Sequence, residues 1–92
     1  MAALNDEEIE RRLRGVDGWQ RDGDAISKQF ECGDFKGSVD FVNRLMPVAE
    51  GMNHHPDLEI SWSKVKTSIS THSEGGLTAN DFDLASRIDA LG

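Results

Sequence analysis

The chain has 92 residues, with 10 lysines and arginines against 17 aspartates and glutamates, and a formal net charge of -7. That length allows one domain, residues 1–92, whose single modest core removes about 60–65% of the surface that the unfolded chain exposes, and 37% hydrophobic with 29% charged residues is a globular composition. The acidic balance excludes a binder that neutralises nucleic-acid phosphates, no run approaches the ~20 apolar residues of a membrane-crossing helix, and the lone Cys32 excludes an internal disulfide or a multi-cysteine zinc site.

The start, Met1 to Asn5, runs into acidic residues rather than into a signal-peptide h-region, which together with the single cysteine fits a reducing compartment, cytosol or nucleus, with the cytoplasm as the expectation. Asn5 then caps a first helix, with Glu8 at the reciprocal capping-box position, Leu4 and Ile9 as a hydrophobic staple, and Gly15 as its stop. Gly18-Trp19-Gln20-Arg21 reads as a short strand entering the turn Asp22-Gly23-Asp24, and Ile26, Lys28 and Phe30 alternate on the return strand. From Asp34, a good N-cap, Phe35, Val39, Val42, Leu45, Met46, Ala49 and Met52 recur at helical spacing. Pro47 interrupts that helix, and a proline's missing donor and its clash with the carbonyl four residues back predict a kink near Asn43 or a break before Glu50. Leu58, Ile60 and Trp62 alternate, Ser63-Lys64 turns the chain, and Val65, Thr67, Ile69 and Thr71 alternate again, which predicts a second hairpin. Thr78 caps a last helix, with Asp81 at its third position and Leu84, Ile88 and Leu91 on its buried face.

The order α-β-β-α-β-β-α predicts an α+β fold, a four-stranded antiparallel sheet with the helices packed on one face. The other face either stays polar and wet or is covered, or the sheet's edge extended, by a second copy.

All three histidines fall in the second half. His54 and His55 precede Pro56, which disfavours the α region for His55 and puts the pair in extended chain after the long helix. His72 ends the last strand, and an antiparallel hairpin brings that end back to the rim where the pair stands. Imidazoles both give and take protons near neutrality, so three at one rim point to acid–base work. They also fit two other readings, surface histidines without a common purpose or a His₃ zinc site; neighbouring His54 and His55 diverge unless the loop bends sharply, which disfavours the zinc. Trp19 and Trp62 are ordinary core or interface aromatics, unless a rim tryptophan sandwiches a flat heterocycle.

The ordered spacing is the most specific feature: Glu50, three residues, His54-His55-Pro56, five residues, Trp62, nine residues, His72, eight residues, Asp81. With Gly18-Trp19, Ala25-Ile26-Ser27-Lys28-Gln29-Phe30, Asp34-Phe35, Ser70-Thr71-His72 and Leu77-Thr78, it resembles the pterin-4a-carbinolamine dehydratase family, also known as the dimerisation cofactor of a homeodomain transcription factor. The resemblance covers nearly the whole chain. It implies dehydration of a 4a-hydroxytetrahydropterin to the quinonoid dihydropterin without metal or organic cofactor. It implies His54, His55 and His72 as the catalytic cluster, with His54 or His55 protonating the departing hydroxyl and His72 orienting the pterin, and Glu50, Asn53, Trp62, Ser70, Thr71, Ser73 and Asp81 as substrate-binding or imidazole-orienting residues. Leu58 stands where family members often carry an aromatic, and Asn53 where they carry an acid. The resemblance further implies a homodimer or a dimer of dimers, built through the sheet and a helix. The competing expectation is an interaction module that stabilises the oligomer of a transcription factor or hydroxylase, without essential catalysis.

Overall fold

A computed structural model describes residues 2–91, so the two ends of the expected 1–92 domain, Met1 and Gly92, lie outside the described residues. Helix α1, Asp6–Leu13, begins as its sequence dictates: the Glu8 amide donates to Asn5 Oδ1 at 2.9 Å and the Asn5 amide to Glu8 Oε1 at 3.3 Å. Strands β1, Gln20–Asp22, and β2, Ala25–Glu31, form the first hairpin; helix α2, Phe35–Met52, follows, and strands β3, Asp57–Ser61, and β4, Lys64–Ile69, form the second. A short 3₁₀ helix, His72–Glu74, leads to helix α3, Ala79–Asp89. The element order is the expected one, and the sheet runs β1-β2-β4-β3 with every pairing antiparallel.

The pleat separates the two faces. Ile26 pairs with Ile69 and Phe30 with Val65, and Ile26, Val65, Thr67 and Ile69 are fully buried on the helix side. Ser27, Gln29, Asp57, Glu59, Lys66 and Ser68 alternate with them on a polar opposite face. Trp19 stands just before β1 rather than in it, buried, with its indole N–H shared between the two Asp89 carboxylate oxygens at 3.2 and 3.1 Å. No helix of the described residues is long and apolar enough to cross a membrane.

Two expectations about α2 require correction. The helix runs unbroken through Pro47 to Met52, so the break before Glu50 does not occur. Pro47 and Asn43 are both exposed, so water can satisfy the Asn43 carbonyl that lost its donor, while buried Leu45 and Ala49 hold the opposite side. The buried face is also rotated from the one read in the sequence: Ser38, Phe41, Leu45 and Ala49 face the core, whereas Phe35 and Met46 are each 57% exposed.

Gly37 sits where the Cys32 carbonyl meets the first turn of α2. A β-carbon there would lie 2.0 Å from the Cys32 oxygen, a backbone atom that cannot rotate away. Gly37→Ala is therefore expected to destabilise the fold by about 1–3 kcal/mol. A melting curve checks this, and an unchanged midpoint would mean that the β2–α2 connection yields freely.

The third correction concerns the second hairpin. Ser61 pairs with Lys64, so Trp62 and Ser63 form the loop and Trp62 does not end a strand. Trp62 adopts φ +50 and is 71% exposed, with its carbonyl accepting the Ser38 hydroxyl at 2.7 Å. It therefore stands beside the start of α2, at the far end of β3 from the histidine pair. A strand of 5 residues separates them, or about 17 Å.

Candidate active site

The strand order assembles the site. Because α2 carries the chain from β2 to the edge strand β3, and β4 returns between them, the start of β3 and the end of β4 share one rim, with Asp57 opposite Ser68. The segment before β3 carries His54 and His55, and the segment after β4 carries Ser70, Thr71 and His72.

Asn53 terminates α2 in the left-handed conformation, φ 50 and ψ 42, with its N–H on the Ala49 and Glu50 carbonyls. This is a common way to end a helix and re-aim the chain. Asn53 is exposed, and its observed work is this cap. Neighbouring residues in extended chain point to opposite sides, and the two imidazoles do so. His54 turns inward, its side chain 13% exposed, to place Nε2 2.5 Å from Oδ1 of the fully buried Asp81. His55 turns outward, 55% exposed, and sets Nε2 2.5 Å from Oε2 of Glu50. Bound to different carboxylates, the two rings do not converge on one point, and no group of three metal-ligating side chains gathers among the described residues.

Asp81 is the centre of the inner cluster. It occupies the first turn of α3, where the helix dipole favours an anion, and its Oδ2 accepts the Thr78 amide at 2.8 Å and the Thr71 hydroxyl at 2.8 Å. The Thr71 and Thr78 hydroxyls are themselves 2.9 Å apart. A buried carboxylate needs such donors, since an unpaired buried charge is strongly unfavourable. Thr71 thus ties the β4 end to the α3 start and, through Asp81, to His54.

His72 is exposed on the 3₁₀ helix rather than ending the strand, with Nε2 3.1 Å from the Ser70 hydroxyl. Ser73 is exposed on the same 3₁₀ helix. Beside His55 and Glu50 lies a groove of about 210 Å³ walled by Leu45, Met46, Ala49, Pro56 and Leu58. The rim thus gathers His54, His55, His72, Glu50, Ser70, Thr71 and Asp81. It does not gather Trp62, because the whole length of β3 lies between that residue and the histidine pair. Thr78, read from the sequence only as a helix cap, joins the cluster; its signal was the Thr-x-x-Asp spacing to Asp81 at the start of α3.

Residues 2–91 match the model of the family described as pterin 4 alpha carbinolamine dehydratase. This chain belongs to that family. A Roseiflexus castenholzii protein provisionally named pterin-4-alpha-carbinolamine dehydratase is 49% identical over 90 residues, 98% of this chain and 97% of its own. A Sulfolobus acidocaldarius protein with the same provisional name is 42% identical over 88 residues, 96% of this chain and 97% of its own. Among solved structures, a transcriptional coactivator/pterin dehydratase from Brucella melitensis superposes with a TM-score of 0.92 at 32% identity, covering 97% of each chain. A pterin dehydratase-like protein described as a RuBisCO assembly factor of the alpha-carboxysome shares the fold with a TM-score of 0.64 at 22% identity, over 79% of this chain and 84% of its own. The α+β architecture of this pterin 4 alpha carbinolamine dehydratase family member is therefore that of the Brucella protein along nearly its full length.

Proposed function

We propose that residues 1–92 form one catalytic unit, a hydro-lyase that converts a 4a-hydroxytetrahydropterin to the quinonoid dihydropterin and water. The elimination needs two proton movements: the departing hydroxyl must gain a proton to leave as water, and the neighbouring ring nitrogen must lose one as the carbon–nitrogen double bond forms. Protons and atoms balance without any redox partner. The observation that supports this reading is the chain of contacts from Thr71, adjacent to His72, through buried Asp81 to His54, which ties the segment that carries His72 to the one that carries His54.

In this reading His54, backed by Asp81, takes the ring-nitrogen proton. His55, held by Glu50, protonates the hydroxyl, and His72 orients the pterin together with Ser70 and the Thr71 backbone. Asn53 and Ser73 border the polar edge of the ring, and the apolar groove beneath Leu58 supplies the wall. Within one copy of the chain Trp62 takes no part. The open edge of β3 and the exposed Met46 and Ile60 support assembly as a homodimer or dimer of dimers.

Chemically generated 4a-hydroxytetrahydropterin, followed by absorbance, is expected to dehydrate faster with the protein than without it. Identical decay at increasing protein concentration would reject the proposal. A second reading, an interaction module without essential catalysis, is supported by the coactivator role in the description of the Brucella relative. It requires a measurable complex with a transcription-factor or hydroxylase oligomer that survives loss of all three histidines, and gel filtration of the mixed proteins decides it.

A further inference from the structure

The hydroxyls of Thr71 and Thr78 carry one hydrogen each, and the contacts around Asp81 dictate which way both point. Thr71 Oγ1 donates its hydrogen to Asp81 Oδ2 at 2.8 Å, because a carboxylate can only accept. In the 2.9 Å contact between the two threonines, Thr78 must then be the donor, since Thr71 has no second hydrogen to give. The order is Thr78 to Thr71 to Asp81, and the Thr78 amide adds a further donor to the same Oδ2 at 2.8 Å. Thr78 and Asp81 are fully buried and Thr71 is partly buried, so water competes little for these bonds. With Oδ2 occupied from two sides, Oδ1 is left as the acceptor for His54 Nε2. A neutral imidazole that donates through one nitrogen presents a lone pair on the other.

We infer that Thr78 is a positioning residue: its hydroxyl heads a one-way hydrogen-bond relay through Thr71 and Asp81 that holds His54 in the Nε2–H tautomer and leaves Nδ1 as the nitrogen that takes the substrate's proton. The catalytic half of this inference rests on the dehydratase reading above; the tautomer half does not. The relay is built into the start of α3, so the same residues that begin the helix also set the imidazole.

The experiment uses the full chain with ¹⁵N-labelled histidine and reads long-range ¹H–¹⁵N spectra at a pH where His54 is neutral, alongside dehydration kinetics. The wild type is expected to show Nδ1 unprotonated and Nε2 protonated. Thr78→Ala and Thr71→Val are expected to show mixed tautomers at His54 and turnover lowered about tenfold or more. Thr78→Ser, which keeps the hydroxyl, recovers most of what Thr78→Ala loses. Thr71→Val lies outside α3 and leaves the Thr78 amide on Asp81 Oδ2, so it decides the matter if Thr78→Ala does not fold. An Nδ1–H ring in the wild type, unaltered tautomers in folded variants, or altered tautomers with full turnover would each overturn the inference. A wild type without dehydratase activity would instead remove the function proposed above, while the spectra still decide the relay.

Discussion

Asp81→Asn is expected to keep the fold and to lower dehydration turnover by about 10²–10⁴-fold, the span that a well-placed acid–base group supplies. The asparagine oxygen can replace Oδ2 and accept the Thr71 hydroxyl and the Thr78 amide, which satisfies the buried donors. Its NH₂ must then occupy the place of Oδ1, so a donor faces His54 Nε2 where an acceptor stood. The ring has to become the Nδ1–H tautomer to pair with it, and its working lone pair is lost. Such a swap beneath the histidine of a serine-protease triad costs about 10⁴ in turnover for the same reason. Because the two residues act as a unit, Asp81→Asn combined with His54→Ala should be little worse than His54→Ala alone. Additive losses in the double variant would show that the carboxylate acts elsewhere.

Asp81→Ala is a different perturbation. It strands the fully buried Thr78 amide with no acceptor and leaves the Thr71 hydroxyl only the Thr78 hydroxyl to turn to, and the expected cost is about 2–4 kcal/mol of stability. Denaturant unfolding separates the two variants: the asparagine form should unfold close to wild type and the alanine form at clearly lower denaturant. Equal midpoints would place Asp81 outside the network that the distances describe.

Much of this arrangement was legible because each signal had a local cause. The Asn5 and Glu8 spacing predicted its own capping box, and the alternation of Val65, Thr67 and Ile69 predicted the buried face of β4. The pairing of two hairpins around one long helix predicted which rim the histidines share. What was not legible depended on context that spacing does not carry. Pro47 reads as a breaker until the exposure of Asn43 shows that the orphaned carbonyl faces water. On α2, Phe35 and Met46 offer as regular an apolar stripe as Phe41 does, and only contact with the sheet decides between two apolar faces of one helix. Trp62 follows the histidine pair at a family spacing, but the whole length of β3 lies between them, so it stands at the opposite end of the strand. Thr78 could be seen as a cap, but its contact with Thr71 exists only because residues 72–76 fold back, with Thr71 bridging to Gly76.

The three histidines should also separate from one another when each is replaced by alanine, since their surroundings differ. His54 is nearly buried against Asp81, so His54→Ala is expected to lose about 10²–10⁴ in kcat and about 1–3 kcal/mol of stability, as the carboxylate loses a partner it cannot replace with water. His55 and Glu50 are both more than half exposed, at 55% and 63%, and an exposed pair contributes about 0–1 kcal/mol. His55→Ala should therefore unfold like wild type while kcat falls about 10²-fold, and Glu50→Gln should lose less than His55→Ala because it removes the partner and leaves the imidazole. His72, exposed and touching Ser70, is assigned to orienting the ring, so His72→Ala should raise KM more than it lowers kcat. Steady-state kinetics beside melting curves test the whole pattern. Unchanged kcat in all three variants would remove imidazole catalysis from this rim, and a His55→Ala protein as unstable as His54→Ala would mean that the outer pair, rather than the inner one, is the buried member of the site.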